Sequence, residues 1–340
     1  VNTQGYTRQQ VTFTDTTYAN VFSSSIVPGK YGLGVDIGAI SRVRNDFIDR
    51  SYRTEYSRLG FYESQANAVY EVEDWFGEMQ GVTYQQHITD LYNSINELTK
   101  NPTSTIARSS LIQNATAFID RSQAIYSGLK DYQITLNTEV SSMVDKINEL
   151  GQKIYSLNKS ISKVEAGGVE RANDLRDTRD LALDELSQYL DIDYYETTDG
   201  QIIISAENIP FVSKSEVNTM DVRQEGQYGL LIPEWTAYEK DVFSFEKAAS
   251  NANNNDRGKL KGLLVARGTI DVNYQDVPVM PDKSDYDLTT AEGMAQYNSA
   301  MDDYQKQQDY YNKYIEPSAI LSAIAGFDKL VNGIVTALND

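Results

Sequence analysis

The sequence predicts a mainly α fold with an inserted β domain, in which an elongated antiparallel helical bundle, or rod, carries a small β domain. Three observations predict it. Apolar residues recur about every 3.5 positions through the middle third of the chain, shorter stripes of the same kind occur towards both ends, and the period changes between them. We therefore expect residues 1–190 and 256–340 to form the rod and residues 191–255 to form the β domain.

The longest stripe begins at Leu111 and ends at Val164. Its steps alternate between four and three residues, with one slip at Val140, which is the pattern of a coiled-coil seam with a stutter. Gly167-Gly168 would end the helix because glycine is conformationally free. A buried helix of a compact domain is the alternative, but such helices typically have only about 8–20 residues.

Three further stripes predict helices that must each bury a seam. The first is opened by Ile40, Val43 and Phe47 and continues through Leu59, Tyr62, Ala66, Val69, Val72 and Phe76; the second is Ile88, Leu91, Ile95 and Leu98, and it stops at Asn101-Pro102; the third is Ile320, Ile324, Phe327, Val331, Ile334 and Leu338. Because no helix covers its own seam, these stripes favour one antiparallel bundle built from both ends of the chain.

Between the stripes the sequence favours strands. Asp199-Gly200 lies between β-prone flanks from Tyr194 to Ser205, which is a strong hairpin signal. Further short β-like runs occupy residues 210–212, 229–232 and 242–245. A helix is expected from Thr290, with a tyrosine face formed by Tyr297, Tyr304, Tyr311 and Tyr314 that is either an extension of the bundle or a partner-facing surface.

Composition excludes several classes of function. The chain has 30 Lys and Arg against 49 Asp and Glu, a net charge of −19, no Cys and one His. Such a charge repels phosphates and anionic lipids, so nucleic acid and membrane surfaces are not expected as partners. Disulfides, thiolate nucleophiles and cysteine metal sites are impossible. No transmembrane run of about 18 apolar residues and no secretory signal is recognised.

Motifs that carry chemistry are weak. The glycines of residues 32–38 do not have the spacing or context of a nucleotide-binding loop. Asp174, Asp177, Asp180 and Asp184 share a helical face that could hold a cation, but the interleaved Arg176 and Arg179 favour ion pairing along that face. His87 has no Ser or Cys motif attached to it. We expect no catalytic residue, no cofactor and no metal site.

Four stretches are similar to a known family. Residues 2–8, NTQGYTR, look like a segment of bacterial flagellar rod, hook and hook-associated proteins, and residues 32–53 resemble a region of the family of flagellar hook-associated protein 1, the first hook-filament junction protein. ANDLRDTRDLALDELS at 172–187 and GKLKGLLVAR at 258–267 resemble two further elements of that family. The block at 172–187 and the long helix separate the chain from hook and rod proteins.

The resemblance implies a structural adaptor of the bacterial flagellum, extracellular and exported through the flagellar type III apparatus. Its partners would be copies of itself in a ring, the hook protein, the second junction protein and an export chaperone. We expect both terminal coils of the family to be absent from this core fragment, and the chaperone site to lie in the missing C-terminal coil. Residues 269–315 form a longer segment than the family usually has, and its role is open.

The resemblance also supplies candidate subunit-interface residues at the family's motif positions. They are Asn2, Thr3, Gly5, Tyr6, Arg8, Arg42, Asp46, Phe47, Arg53, Asn173, Asp174, Arg176, Asp177, Arg179 and Asp180. Two other classes of protein stay open: another secreted coiled-coil axial or adhesive protein, such as a hook protein, a flagellin-like protein or an adhesin, and an enzyme housed in the β domain.

Overall fold

The computed structural model describes residues 5–19, 30–77, 83–167, 171–226 and 229–339. Over these residues the chain is mainly helical with short antiparallel strands, which confirms the predicted fold class. The helices are α1 (Asp46–Phe76), α2 (Tyr84–Lys100), α3 (Thr105–Glu165), α4 (Asn173–Tyr189), α5 (Lys259–Arg267), α6 (Ala291–Tyr314) and α7 (Ala319–Asn339). The strands are β1 (Gln9–Ala19), β2 (Lys30–Arg42), β3 (Ile192–Glu196), β4 (Ile202–Ala206), β5 (Ile209–Val212), β6 (Met220–Glu225), β7 (Leu230–Trp235) and β8 (Lys240–Asp241).

The chain divides into two compact units. The first consists of Val1–Arg58, Asp145–Met220 and Trp235–Lys240; the second consists of Leu59–Val144, Asp221–Glu234 and Asp241–Asp340. These cuts fall within α1 and α3 rather than at residues 190 and 255. The assignment of residues 191–255 to an inserted domain therefore stays a prediction.

The long helix is confirmed. Helix α3 has 61 residues, which corresponds to about 90 Å at 1.5 Å per residue. Most of the predicted seam is buried, including Phe118, Ile125, Leu129, Ile147 and Ile154. The helix ends at Glu165, two residues before Gly167, and Gly168 lies outside the described residues.

The start of the first predicted helix is wrong. Ile40 belongs to β2, which pairs antiparallel with β1, and Val43 follows the strand. Helix α1 begins at Asp46 because the side chain of Asn45 accepts a hydrogen bond from the backbone N–H of Phe47 at 3.0 Å and so caps the first turn. The β1–β2 ribbon was not predicted, although Val35 and Ile37 show the alternation of a strand.

The buried face of α1 also differs from the prediction. Leu59, Tyr62 and Val69 are 42–49% exposed, whereas the buried positions are Arg53, Ser57, Gly60, Phe61, Ser64 and Ala68. This face is polar but its groups are satisfied: in the first unit Ser57 Oγ donates to the Leu190 carbonyl, and in the second unit Ser64 Oγ donates to the Lys259 carbonyl. Small and hydrogen-bonded side chains allow close approach, which the apolar periodicity does not reveal.

Two small sheets follow α4, with strand orders β3-β4-β5 and β6-β7-β8. The predicted hairpin is confirmed, and its turn contains Gly200 at φ +77°. The short runs at 210–212 and 229–232 overlap β5 and β7. The expected strand at 242–245 is wrong: β8 ends at Asp241, and Val242 and Phe243 are buried in a loop.

Three asparagines of α3 bind the beginnings of these strands. In the first unit Asn158 donates to the Ile202 carbonyl at 2.7 Å and accepts from its N–H at 3.0 Å, and Asn148 makes the same pair of bonds with Met220. In the second unit Asn137 donates to the Gly229 carbonyl and accepts from Leu231 N–H. Each carboxamide thus replaces a neighbouring strand, satisfying strand-edge groups that a helix backbone cannot reach.

The second unit has an aromatic and aliphatic core. The rings of Phe76, Tyr84, Phe118 and Phe327 lie within 5.1–6.5 Å of one another in four pairs. The helix expected from Thr290 is confirmed, since Thr290 Oγ1 caps α6. Helix α7 is long and apolar enough to cross a membrane by length and composition, and 28% of its most apolar window is buried inside the chain, including Ile320, Leu321 and Ile324.

Candidate functional site

Several predicted interface residues meet in the first unit, where the root of the β1–β2 ribbon contacts α4. Strand β2 supplies Arg42, helix α1 supplies Arg53, and helix α4 supplies Asp177 and Asp180. The steps from Asp177 to Asp180 and Asp184 place these three carboxylates on one face of α4, as the sequence predicts. They form an ion cluster in which the arginines come from other elements.

Asp177 holds both strands of the ribbon. Its Oδ2 accepts the backbone N–H of Thr7 at 3.0 Å, and its Oδ1 accepts Arg42 Nη1 at 2.8 Å. Burial alone would raise the pKa of the Asp177 carboxyl, but these hydrogen bonds outweigh burial and hold the pKa below its ordinary value. The carboxylate is therefore ionised and bound at neutral pH.

Asp180 is the centre of the cluster. One oxygen accepts Arg42 Nη1 at 2.5 Å and lies 3.2 Å from Arg44 Nη1, while the other lies 3.6 Å from Arg53 Nη2. The side chains of Arg53 and Asp180 are only 4% and 10% exposed. One carboxylate thus joins the end of β2, the connection that follows it and helix α1, in a setting where water screens the charges little.

Two further carboxylates complete the cluster. Asp49 accepts Arg44 Nε at 2.8 Å, and Asp184 accepts Arg53 Nε at 2.7 Å. Burial opposes the charge of the Arg44 and Arg53 guanidinium groups, but the ion pairs outweigh it and raise both pKa values. Burial has the larger effect on Asp184 and raises its pKa. Each arginine is matched by at least one close carboxylate.

Arg176 and Arg179 do not pair with the acidic row, so that part of the expectation is wrong. Because they are sequence neighbours of Asp177 and Asp180, they point to a different face of α4. Arg176 binds Glu165 with Nε and Nη2, both at 2.7 Å, and Glu196 with Nη1 at 2.5 Å. These hydrogen bonds lower the pKa of Glu165 to about 2.

Arg179 is fully buried on this second face. Its Nη1 donates to Asn158 Oδ1 at 3.0 Å and to the Gly200 carbonyl at 2.6 Å, and its Nη2 lies 3.8 Å from the Glu196 carboxylate. Burial lowers the pKa of the guanidinium to about 10, still charged at neutral pH. Arg179 therefore ties α4 to α3 and to the β3–β4 turn inside the chain.

The other predicted residues lie around the cluster or outside it. Gly5 has φ +81°, a left-handed conformation that favours glycine, and a Cβ there would also lie 3.3 Å from Leu181 Cβ. Asn173 donates to the Ile40 carbonyl. Four more are exposed, namely Arg8, Tyr6 at 46%, Phe47 at 77% and Asp46, as is Asp174 on α4. Asn2 and Thr3 lie outside the described residues.

Sequence reasoning missed Arg44 and Asp49. A signal was present, because Arg42 and Arg44 are separated by two positions at the end of a β-branched stretch and so share one face of an extended chain. That signal is visible only if these residues are recognised as a strand, and the prediction that Ile40 and Val43 open a helix excluded a strand there.

The geometry suits a structural role. Among the described residues no group of three His, Cys, Asp or Glu side chains is placed to hold a metal ion. Beside the cluster an open groove of about 540 Å³ is lined by Ile37, Ile40, Val164 and Leu175, together with polar residues that include Asn173. Large apolar side chains of the ribbon and of the start of α1 are exposed in this unit, and such surfaces mark contact with other molecules.

Comparison with known proteins agrees with this architecture. Residues 69–282 match the family model of the flagellar hook-associated protein FlgK helical domain. Flagellar hook-associated protein 1 of Bacillus subtilis (strain 168) is 28% identical over 317 residues, covering 87% of this chain and 61% of that protein. The protein of the same name from Escherichia coli (strain K12) is 24% identical over 208 residues, covering 61% of this chain and 37% of that protein.

A solved structure shares the fold. The flagellar hook junction protein FlgK from Burkholderia pseudomallei has a TM-score of 0.50 and 18% identity, covering 64% of this chain and 38% of that one. The chain thus spans about three fifths of the first curated relative and a smaller share of the others.

Proposed function

We propose that this chain is a structural adaptor of the bacterial flagellum that joins hook to filament, because it belongs to the family of the flagellar hook-associated protein FlgK helical domain. The match over residues 69–282, which include all of α3 and α4, carries the proposal. Its place would be extracellular, after export through the flagellar type III apparatus.

Its partners would be copies of itself in a ring, the hook protein and the second junction protein, with a chaperone before export. The apolar side chains exposed on the ribbon and at the start of α1 support contact with other subunits, because a ring must bury surface that the isolated chain leaves in water. Of the candidate interface residues, Tyr6, Arg8, Asp46, Phe47 and Asp174 are exposed and suit such contacts directly.

The buried candidates would serve assembly differently. Asp177, Asp180, Arg53, Arg176 and Arg179 are occupied by partners within the chain. Their part in an interface would be to fix the surfaces that neighbouring residues present. We further propose that the chain is not an enzyme, and we expect no hydrolase activity from residues 191–255.

Complementation tests the proposal. A Bacillus subtilis strain lacking its flagellar hook-associated protein 1 would receive a hybrid in which this chain replaces the matched region. We expect hooks to carry filaments and cells to swim, as seen by electron microscopy and in soft agar. Normal filaments in the strain without any copy would overturn the adaptor role, as would a stable, secreted hybrid that leaves hooks bare. Secreted hybrid protein, detected in the medium, is the control for export.

A further inference from the structure

The β1–β2 ribbon is exposed over most of its described length. Every residue at positions 10–16 and 34–41 is exposed, including Phe13 at 69% and Ile37 at 60%. A two-stranded ribbon in water is marginally stable by itself. Its direction must therefore be set where it joins the unit.

The contacts at that root converge on α4. Val43 N–H donates to the Arg8 carbonyl at 2.8 Å, which closes the ribbon between its two strands. Thr7 N–H before β1 and Arg42 at the end of β2 then bind the same carboxylate, Asp177. Asp180 binds Arg42 and Arg44 and approaches Arg53, so it joins the root to α1 as well.

We infer that Asp177 and Asp180 form a carboxylate latch that fixes the β1–β2 ribbon, as an arm, in one direction on helix α4. The other attachments of the root are few, and in the described residues they consist mainly of Asn173 with the Ile40 carbonyl and the packing of Gly5 on Leu181. The latch therefore determines whether the arm keeps one orientation relative to α4 or moves between several.

The remainder of α4 does not depend on the latch. Leu183 and Leu186 are fully buried, and Arg179 holds α4 to Asn158 and Gly200 from the opposite face. Removing the latch charges should release the arm while α3, α4 and the β3–β4 hairpin stay folded. If the ion cluster instead stabilised the whole unit, its removal would loosen the arm, α3, α4 and the β3–β4 hairpin together.

Pulsed electron spin resonance on the isolated chain measures the arm directly. Because the chain has no native Cys, labels at Asp15→Cys on the arm and Thr178→Cys on α4 report one distance. We expect a narrow distance distribution with the latch intact and a broad one in Asp177→Asn/Asp180→Asn. The matched control is Asp174→Asn, which removes a carboxylate one turn earlier on α4 that is exposed and outside the latch.

Hydrogen exchange on the same variants supplies the second readout. In the double variant we expect amides of β1 and β2 to exchange about tenfold faster or more, with those of α3 and β4 unchanged. Unchanged narrow distances in the double variant, or equal acceleration throughout the first unit, would overturn the latch. Neither measurement involves a flagellar partner, so the latch can fail while the proposed adaptor role stands, and the reverse.

Discussion

At the scale of single residues, Arg267 shows how neutral oxygen acceptors hold a buried arginine in this chain. It is fully buried, and its Nη1 donates to Asn137 Oδ1 at 2.6 Å and to the Leu231 carbonyl at 2.9 Å, while Nε donates to its neighbour's carbonyl. Burial lowers its pKa to about 10. Through these bonds the guanidinium connects α5, α3 and β7 in the second unit.

We therefore predict that Arg267→Lys destabilises the chain by about 2–3 kcal/mol, because buried acceptors lose their donors. Urea denaturation followed by circular dichroism measures the loss. Arg223→Lys is the control, since Arg223 pairs with Glu225, Glu234 and Asp241 at the surface and exposed ion pairs contribute little. Equal losses in the two variants would contradict the bridging role of Arg267.

The bidentate pair of Glu165 and Arg176 predicts a pH dependence. The pKa of Glu165 falls from an ordinary 4.5 to about 2 in the folded chain. Because the carboxyl has a lower pKa in the folded chain than in the unfolded chain, it stabilises the folded state at pH values above the unfolded-state pKa. This stabilisation is lost as the pH falls from 4.5 towards 2. We expect the free energy of unfolding of Glu165→Gln to depend less on pH in this window than that of the unaltered chain. Glu149→Gln, an exposed change on the same helix, is the matched control, and an equal effect of the two variants would contradict the role of the Glu165–Arg176 pair.

At the scale of elements, the sequence predicted what periodicity encodes and missed what polar contacts encode. The α3 seam was readable because Ile125, Leu129 and Ile147 recur on one stripe over many turns. The buried face of helix α1 was predicted wrongly because it holds Arg53, Ser57 and Ser64, whose hydrogen-bond partners lie far along the chain. The ion cluster was foreseen as pairing on α4, but its partners depended on a ribbon that the sequence did not reveal.

Helix α5 gives a sharp test at this scale, because Gly262 lies directly against the backbone of Phe61 in the second unit. A Cβ at Gly262 would overlap the Phe61 carbonyl oxygen and lie 2.9 Å from its Cα, and backbone cannot rotate away as a side chain can. We predict that Gly262→Ala destabilises by about 2 kcal/mol through overpacking.

Gly333→Ala is the matched helical control. Nothing lies within 4 Å of the added Cβ, so alanine should stabilise α7 by about 0.5–1 kcal/mol through its helix preference. Thermal unfolding of both variants measures the contrast. A stable Gly262→Ala would show that α5 can move away from α1.

At the scale of the whole molecule, charge and exposed apolar surface act in opposite directions. A net charge of −19 makes copies repel one another, and this repulsion weakens as the screening length falls from about 8 Å at 0.15 M salt to about 3 Å at 1 M. The arm carries Val11, Phe13 and Ile37 on its exposed apolar face, with Val11 opposite Ile40 and Phe13 opposite Ile37 across the strands. Apolar attraction does not depend on charge and should prevail once the repulsion is screened.

We predict that the isolated chain sediments as a monomer at micromolar concentration in low salt and self-associates as salt rises. Ile37→Lys should abolish this association although it lowers the net negative charge, because it places a hydrated ammonium on the apolar face. The control is Gln10→Lys, which makes a similar change of charge on the arm. Gln10 is exposed, and strand alternation places it on the face opposite to that of Val11 and Phe13. This variant should leave association intact or strengthen it. If both lysines abolish association equally, or neither does, the apolar face of the arm is not the surface through which copies meet.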